Sequence, residues 1–354
     1  MLIPTEPIGS VPRPPELIAA RQALQVGRMS AEEFAGIAER ALRDTIREFE
    51  ASGSPVITDG EQTKSSFVTY PLEGVSNLVP DGVVIPFEDG HTRQLPRLTA
   101  GPFHYGTFAS TYLTAAKRLT RLPVKQAVIS ASALSLLYPS SEIPNYPREA
   151  FLSDLISDAA ADIRGCLEQG ADSVQIDFTE GRLSLKLDPS GGLLDSFVAL
   201  NNQVLGHFSP QERQRIGVHT CPGGDRDATH SADVDYAGLM PALFRLHAVR
   251  FCVQLASEKD PDRVLAMIRE HLQPDQTVFV GVIDPVNPAI ESPDLVRERV
   301  LQAARRLPAR QLGATDDCGF APFADDTSTS RDIAFAKIRA RVEGTRLAAR
   351  EIGE

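Results

Sequence analysis

A TIM-type (β/α)₈ barrel is the fold this sequence predicts, and three observations predict it. From about Pro55 onward, short apolar runs alternate with amphipathic stretches, the rhythm of βα units repeated around a parallel sheet. Eight such β-rich runs can be picked out along the chain. A length of 354 residues suits one barrel with insertions, since this fold spans roughly 200 to 400 residues as a single domain. The expectation is one α/β domain over residues 1–354, with an inserted segment after strand 2.

The predicted strands run near Ile3 to Ile8, Pro55 to Gly60, Gln126 to Ala131, Ser173 to Asp177, Ile216 to His219, Arg250 to Gln254, Val278 to Ile283 and Leu312 to Thr315. Helices between them carry recognisable starts. Ser30 precedes AEEFAGIAERALRDTIREFE, Tyr146-Pro147 precedes REAFLSDLISDAAADIRGCLEQG, and Ser292-Pro293 precedes DLVRERVLQAARRL. Early proline, acidic residues just after it and apolar residues at helical spacing support each, and Gly170 stands where a C-cap belongs. Residues 71–105 break the rhythm with alternating VVIPF and Gly-Pro corners, so they are read as the insertion on the catalytic face, either part of a lid or a hairpin on the rim.

The composition, 42% hydrophobic and 23% charged, is that of a globular chain able to bury a sizeable core. Lys plus Arg number 36 against 47 Asp plus Glu, a net charge of −11, and no basic run stands out, which argues against nucleic acid as a partner. Neither a basic-then-apolar leader nor an apolar stretch near ~20 residues is visible, so the expected location is cytoplasmic and no membrane contact is expected. The four cysteines, Cys166, Cys221, Cys252 and Cys318, are widely spaced and read as ligands, nucleophiles or core residues rather than disulfides.

The chemistry is concentrated in GVHTCPGGDRDATH, residues 217–230. Side chains two apart in an extended chain share a side, so His219 and Cys221 can address one point at the barrel mouth, and an imidazole with a thiolate suits zinc. A lone His-x-Cys also reads as a buried His and Cys. Two further features favour metal. Cys318, in ATDDCGF just after the eighth strand, can reach the same mouth, and Gly223-Gly224 permits close backbone approach. Three protein ligands with one open position is the pattern of a catalytic zinc site.

The opening TEPIGSVPRP, then ITDGEQ, VQIDF, HTC and DDCGF, in this order, resemble the catalytic barrel of cobalamin-independent methionine synthase and its shorter relatives, over essentially the whole chain. The resemblance implies a Zn²⁺-dependent methyltransferase that makes methionine from homocysteine and a folate methyl donor. It implies that His219, Cys221 and Cys318 are zinc ligands, that Ile8, Gly9 and Ser10 shape the amino-acid site, and that Glu61 and Asp177 act in catalysis by holding the substrate's ammonium group. Carboxylates at strand ends can pair a buried ammonium, and backbone N–H groups around Gly9-Ser10 can receive a carboxylate. Tyr138 is the match for the aromatic residue that stacks on the folate ring.

Two positions depart from the family. Gln254 in FCVQLAS stands where the family has a glutamate as fourth zinc ligand; it is expected to bind weakly, to contact substrate or to leave the place to water, with Glu258 as another candidate. Val286, or Asn287 with a slip of one, replaces a histidine taken to assist transfer from folate, and neither is a general acid. A corrinoid-bound methyl, delivered by a corrinoid protein, or a sulfonium needs no such acid. An alternative keeps the zinc–thiolate chemistry with another thiol and electrophile, as in the similar epoxyalkane:coenzyme M transferases; a third reading is a zinc- or thiol-binding barrel without turnover. His230 reads as a partner of the metal site or a surface residue, Cys166 as core, Cys252 as core or close to the metal, and Arg13, Lys64, Arg182 and Lys186 as solvated charges, with contact to an anionic substrate as the alternative.

Overall fold

In the computed structural model, which describes residues 3–353, the central feature is a six-stranded parallel sheet. Its strands are β1 (Gln126–Ile129), β2 (Val174–Asp177), β3 (Ile216–Thr220), β4 (Arg250–Val253), β5 (Thr277–Ile283) and β6 (Leu312–Asp316), hydrogen-bonded in chain order. Every strand residue except Arg250 and Thr277 is buried, as a sheet covered on both faces requires.

The first two predicted strands are extended but barely laddered. Thr5 makes a single parallel bridge to Ala314 of β6, and Ile57 one to Val124 just before β1. Between these two segments the ring closes through Val11 N–H donating to Gly60 O at 3.1 Å and the Thr58 hydroxyl donating to Gly9 O at 2.8 Å. The physical reason is in the residues. Pro4, Pro7 and Pro55 have no N–H to give a ladder, and Gly60 and Glu61 take positive φ (64° and 53°), which no strand accommodates. The barrel thus has eight staves in the predicted order, two of them irregular.

The predicted helices form where their signals stand. Ala31–Ala51 starts at Ser30 with a capping box to Glu33; Arg148–Glu168 is followed by Gly170 at φ 78°; Pro293–Ala304 is capped by Ser292 and stops three residues short of Leu307. The main apolar cluster lies between sheet and helices, while Ile8, Cys252 and Phe279 form a small separate one inside the barrel. The register explains it: Asp177, His219, Cys252 and Phe279 are successive partners across β2 to β5, one layer of inward side chains. Gly313, next in that layer, leaves room for the Phe279 ring, which a Cβ would meet at 2.4 Å.

Residues 71–105 hold two small antiparallel ladders, Leu78–Val79 with Arg97–Leu98 and Val84–Pro86 with Thr92–Gln94. No helix among the described residues is long and apolar enough to cross a membrane.

Candidate metal centre and adjoining cavities

His219 is the fourth residue of β3, and Cys221 directly follows the strand; Cys318 lies two residues beyond β6. These elements bring one donor atom from each of the three within 4.8 Å of one another, and the two sulfurs to 3.0 Å. Both ring nitrogens of His219, a residue 1% exposed, lack a hydrogen-bond partner among the described residues. Leaving two polar atoms of a buried imidazole unpaired is costly, and a cation is the partner that would satisfy one of them alongside two thiolates. The nitrogen–sulfur–sulfur set fits zinc. The Cys221 Sγ–H contact holds the Cys318 thiol well below its ordinary range, with His219 adding to the effect, while the Cys221 thiol is pushed up by the same contact and by burial. A Cβ on Gly223, which takes φ 71°, would strike the His230 ring at 1.8 Å, so that glycine is needed where it stands, whereas a Cβ on Gly224 would meet Cys318 Sγ at an ordinary 3.9 Å.

Beside the cluster is a small cavity of about 30 Å³ walled by Ile8, Gly9, Ser10, Glu61, Asp177 and Gly319, with His219 and Cys318 on its floor. All the residues expected to shape the amino-acid site are thus brought together except Gln254. Glu61 is buried and paired with Lys64 at 3.0 Å; the Lys64 ammonium also donates to Ala127 O at 2.9 Å and lies 4.5 Å from the centre of the Tyr70 ring. Asp177 accepts from the Gln175 amide at 2.7 Å, and Gln175 in turn accepts from Lys125, which bridges to Glu6. Burial raises the Asp177 carboxyl to about 6, with His219 opposing and Glu61 reinforcing the rise.

Gln254 follows β4, and the pairing of Cys252 with His219 puts it beside Cys221. Its Nε2 donates to Ser257 Oγ at 2.8 Å and to Glu258 Oε1 at 3.1 Å, whereas its buried Oε1 has no partner among the described residues. Asp317, the neighbour of Cys318, fixes this loop by accepting from the amides of Leu255, Ala256 and Ser257 at 2.8 to 2.9 Å. Glu258 is held by Arg182 at 2.7 Å.

Three charges read as solvated are not. Lys64, Arg13 and Arg182 are 0%, 3% and 2% exposed. Arg13 donates to the carbonyls of Glu61 and Phe323, Arg182 to Glu258 and Val234 O, so each spends its charge organising site loops; only Lys186, paired with Asp233, meets solvent. His230 is buried, bonded to Ser231, and driven down to about 4 by burial and by Lys186 and Arg182, which excludes the surface reading. Cys166 and Cys252 are buried as expected.

A second cavity, of about 260 Å³, adjoins the first through Phe67, Thr179, Gly223 and Gly224. Phe67, Phe87 and Phe323 supply aromatic walls, and Glu180, Arg93 and Asp325 the polar ones. Ile85, Phe87 and Arg93 come from the 84–94 hairpin, which grips the loop after β3: Arg93 Nε donates to Asp225 at 2.5 Å, its guanidinium bridges on to Asp325 at 2.9 Å, and it lies 4.1 Å over the Phe323 ring. Tyr138 lines neither cavity. It packs 5.3 Å from Phe151 and its hydroxyl donates to Tyr146 O at 2.8 Å.

Residues 3–341 match the profile of the family described as cobalamin-independent synthase, catalytic domain. The methionine synthases of Pyrococcus furiosus and Saccharolobus solfataricus are 21% and 23% identical over 99% of this chain and cover 94% and 96% of their own lengths. The 5-methyltetrahydropteroyltriglutamate–homocysteine methyltransferase of Nitratidesulfovibrio vulgaris is 24% identical over 90% of this chain, which spans only 39% of that longer protein. Among solved structures, the B12-independent methionine synthase of Shewanella sp. W3-18-1 in complex with selenomethionine superposes with a TM-score of 0.77 at 18% identity, 99% of each chain being covered. With the profile match spanning nearly the whole length, and with a barrel of the same fold, the chain belongs to the cobalamin-independent methionine synthase family as a short form of its catalytic domain.

Proposed function

We propose that this chain holds zinc through His219, Cys221 and Cys318 and transfers a methyl group to an amino-acid thiol, homocysteine first among them. The observation that carries the reading is the convergence of one imidazole and two thiols, the imidazole without other partners among the described residues, beside a cavity walled by Ile8–Ser10, Glu61 and Asp177 and floored by His219 and Cys318. Zinc, when bound, supplies the means of keeping the acceptor sulfur deprotonated at neutral pH, where a free thiol of pKa ~8.5 is mostly protonated.

The residues of the chain do the rest. Glu61 and Asp177 bring two negative charges and Lys64 one positive, so the pocket keeps a single negative charge for one ammonium group. An ammonium beside Asp177 draws its carboxyl back toward the ionised form, so binding and ionisation reinforce each other. The loop at Gly9-Ser10 receives the carboxylate, which sets the angle at which the sulfur leaves the pocket toward the larger cavity. Gln254 adds a neutral carbonyl oxygen next to Cys221 in place of a carboxylate. The charge count favours an amino-acid thiol over a sulfonated thiol of the coenzyme M kind, which brings an anion but no cation to balance the pocket.

Metal analysis should find one zinc per chain, falling to a small fraction in Cys318→Ser. Zinc-loaded protein given homocysteine with methyltetrahydrofolate or a corrinoid methyl donor should form methionine, with a loss of at least ~10²-fold in the same variant. No methionine from any donor overturns the reading. Calorimetric preference for 2-mercaptoethanesulfonate over homocysteine moves it to the other acceptor class.

A further inference from the structure

Beneath the amino-acid pocket the barrel interior is polar, where this fold ordinarily packs branched apolar side chains. Gln175 stands two residues before Asp177 on β2, so both side chains point into the barrel, Gln175 one layer deeper. Its cross-strand partners are Ala127 and Gly217, small residues that leave room beside it. Lys125, directly before β1, and Glu6 are 1% and 3% exposed and pair at 3.2 Å, while Arg250, the first residue of β4, braces the other oxygen of Glu6. Against burial, Lys125 and Arg250 hold the Glu6 carboxyl below its ordinary range, which keeps it an anion at neutral pH. Burying such a pair is often no better for stability than apolar packing. Its use lies in what it orients.

We propose that Gln175, its amide turned by Lys125, is the positioning residue that sets Asp177 with a single free oxygen toward the acceptor's ammonium group, and so makes the pocket distinguish an amino-acid thiol from a thiol acid lacking the amine. The proposal rests on the amino-acid-thiol reading and adds to it a residue that acts through Asp177. An ammonium can only donate, so Lys125 Nζ, 2.7 Å from Gln175 Oε1, decides which end of the amide is which. Nε2 is left to face Asp177, and it donates to Oδ1 at 2.7 Å. Among the described residues no other side chain bonds to Asp177. Oδ2 makes no hydrogen bond there and is not sealed from the surface, so it opens on the cavity of about 30 Å³ that Asp177 walls.

Glu61, the facing carboxylate, is held differently, with Oε1 on the Lys64 ammonium at 3.0 Å. That cation cancels one of the pocket's two negative charges. A second cation directly on Asp177 would cancel the other and leave nothing to attract an ammonium group. A neutral amide between Lys125 and Asp177 passes on the orientation that the cation imposes without placing the cation's charge on the carboxylate.

The test is calorimetry of the zinc-loaded full-length protein with two ligands that share a thiol and a carboxylate: homocysteine, and 4-mercaptobutanoate, which is homocysteine without its amino group. Wild type should prefer homocysteine by at least ~10-fold, the scale of one charge-assisted hydrogen bond. Gln175→Met, close in length and without a donor, should lose ~10-fold or more in homocysteine affinity while 4-mercaptobutanoate stays within ~3-fold, at unchanged zinc content and circular dichroism. Lys125→Met leaves Glu6 with Arg250 and frees the amide to turn, so it should weaken homocysteine alone, by ~3-fold or more. Where Gln175→Met does not fold, Gln175→Asn, an amide one methylene short of Asp177, should show the same selective loss. Equal losses on both ligands, or an undiminished preference in the Gln175 variants, overturns the proposal while the amino-acid-thiol reading stands. A wild type that shows no preference, or binds neither thiol, removes the two together.

Discussion

Gly319 has no room for a methyl group. A Cβ there would lie 2.2 Å from Ser10 Oγ, the hydroxyl that accepts from Ala321 N–H at 3.3 Å and so helps hold the amino-acid loop against the Cys318 turn. Gly319→Ala should push Ser10 out of place, raising the homocysteine Kd at least ~10-fold, about 1.4 kcal/mol, while zinc content holds; unchanged calorimetric affinity would show that Ser10 does not shape the pocket. The convergence of His219, Cys221 and Cys318 was legible at this scale because HTC and DDCGF keep their chemistry within a few residues of a strand end. Lys64 and Glu180 were not. Lys64 follows Glu61 by three residues, but the rings and carbonyl that bury it come from Tyr70, Tyr112 and Ala127, and a lone Lys in a polar stretch carries no sign of that. The same holds for Glu180, which accepts from the hydroxyls of Ser130 and Ser132, about fifty residues upstream.

At the scale of the element, the 84–94 hairpin is tied to the loop after β3 by few bonds: Arg93 and His91 both reach Asp225, which is fully buried, and Arg93 bridges on to Asp325. Glu88 N–H to Thr229 O at 3.0 Å is the main-chain supplement. Arg93→Gln should leave the barrel's melting almost unchanged but lower hydrogen-exchange protection across the hairpin by ~10-fold or more, with a loss of donor affinity; full protection in the variant would place the hairpin's anchorage elsewhere. The regular strands and three helices were readable because β-rich runs, caps and prolines are local signals. The first two staves were read as strands because Ile3–Ile8 and Pro55–Gly60 are apolar, yet their prolines and the positive φ at Gly60 and Glu61 leave one bridge apiece. That irregularity also frees their backbone for the site.

For the molecule as a whole, burying carboxyls with raised pKa makes stability depend on pH in a definite sense. Glu180, raised to about 7 from an ordinary 4.5, binds more protons folded than unfolded between those values, so its contribution is full below about 4.5 and is lost as the pH rises through about 7. Asp177, raised to about 6, acts the same way over a lower window. Wild type should therefore lose melting temperature between about pH 4.5 and pH 7, and Glu180→Gln should lose less; parallel curves would show that Glu180 is not perturbed. The ring itself has a weak joint where the two irregular staves meet, closed by Val11 to Gly60 and Thr58 to Gly9. On the proposed function, an amino acid seated on Ile8–Ser10 from one side and Glu61 from the other would lie across that joint. Such a ligand would be a keystone as well as a reactant: its arrival would fasten the seam, and its departure would loosen the wall beside which the product must leave.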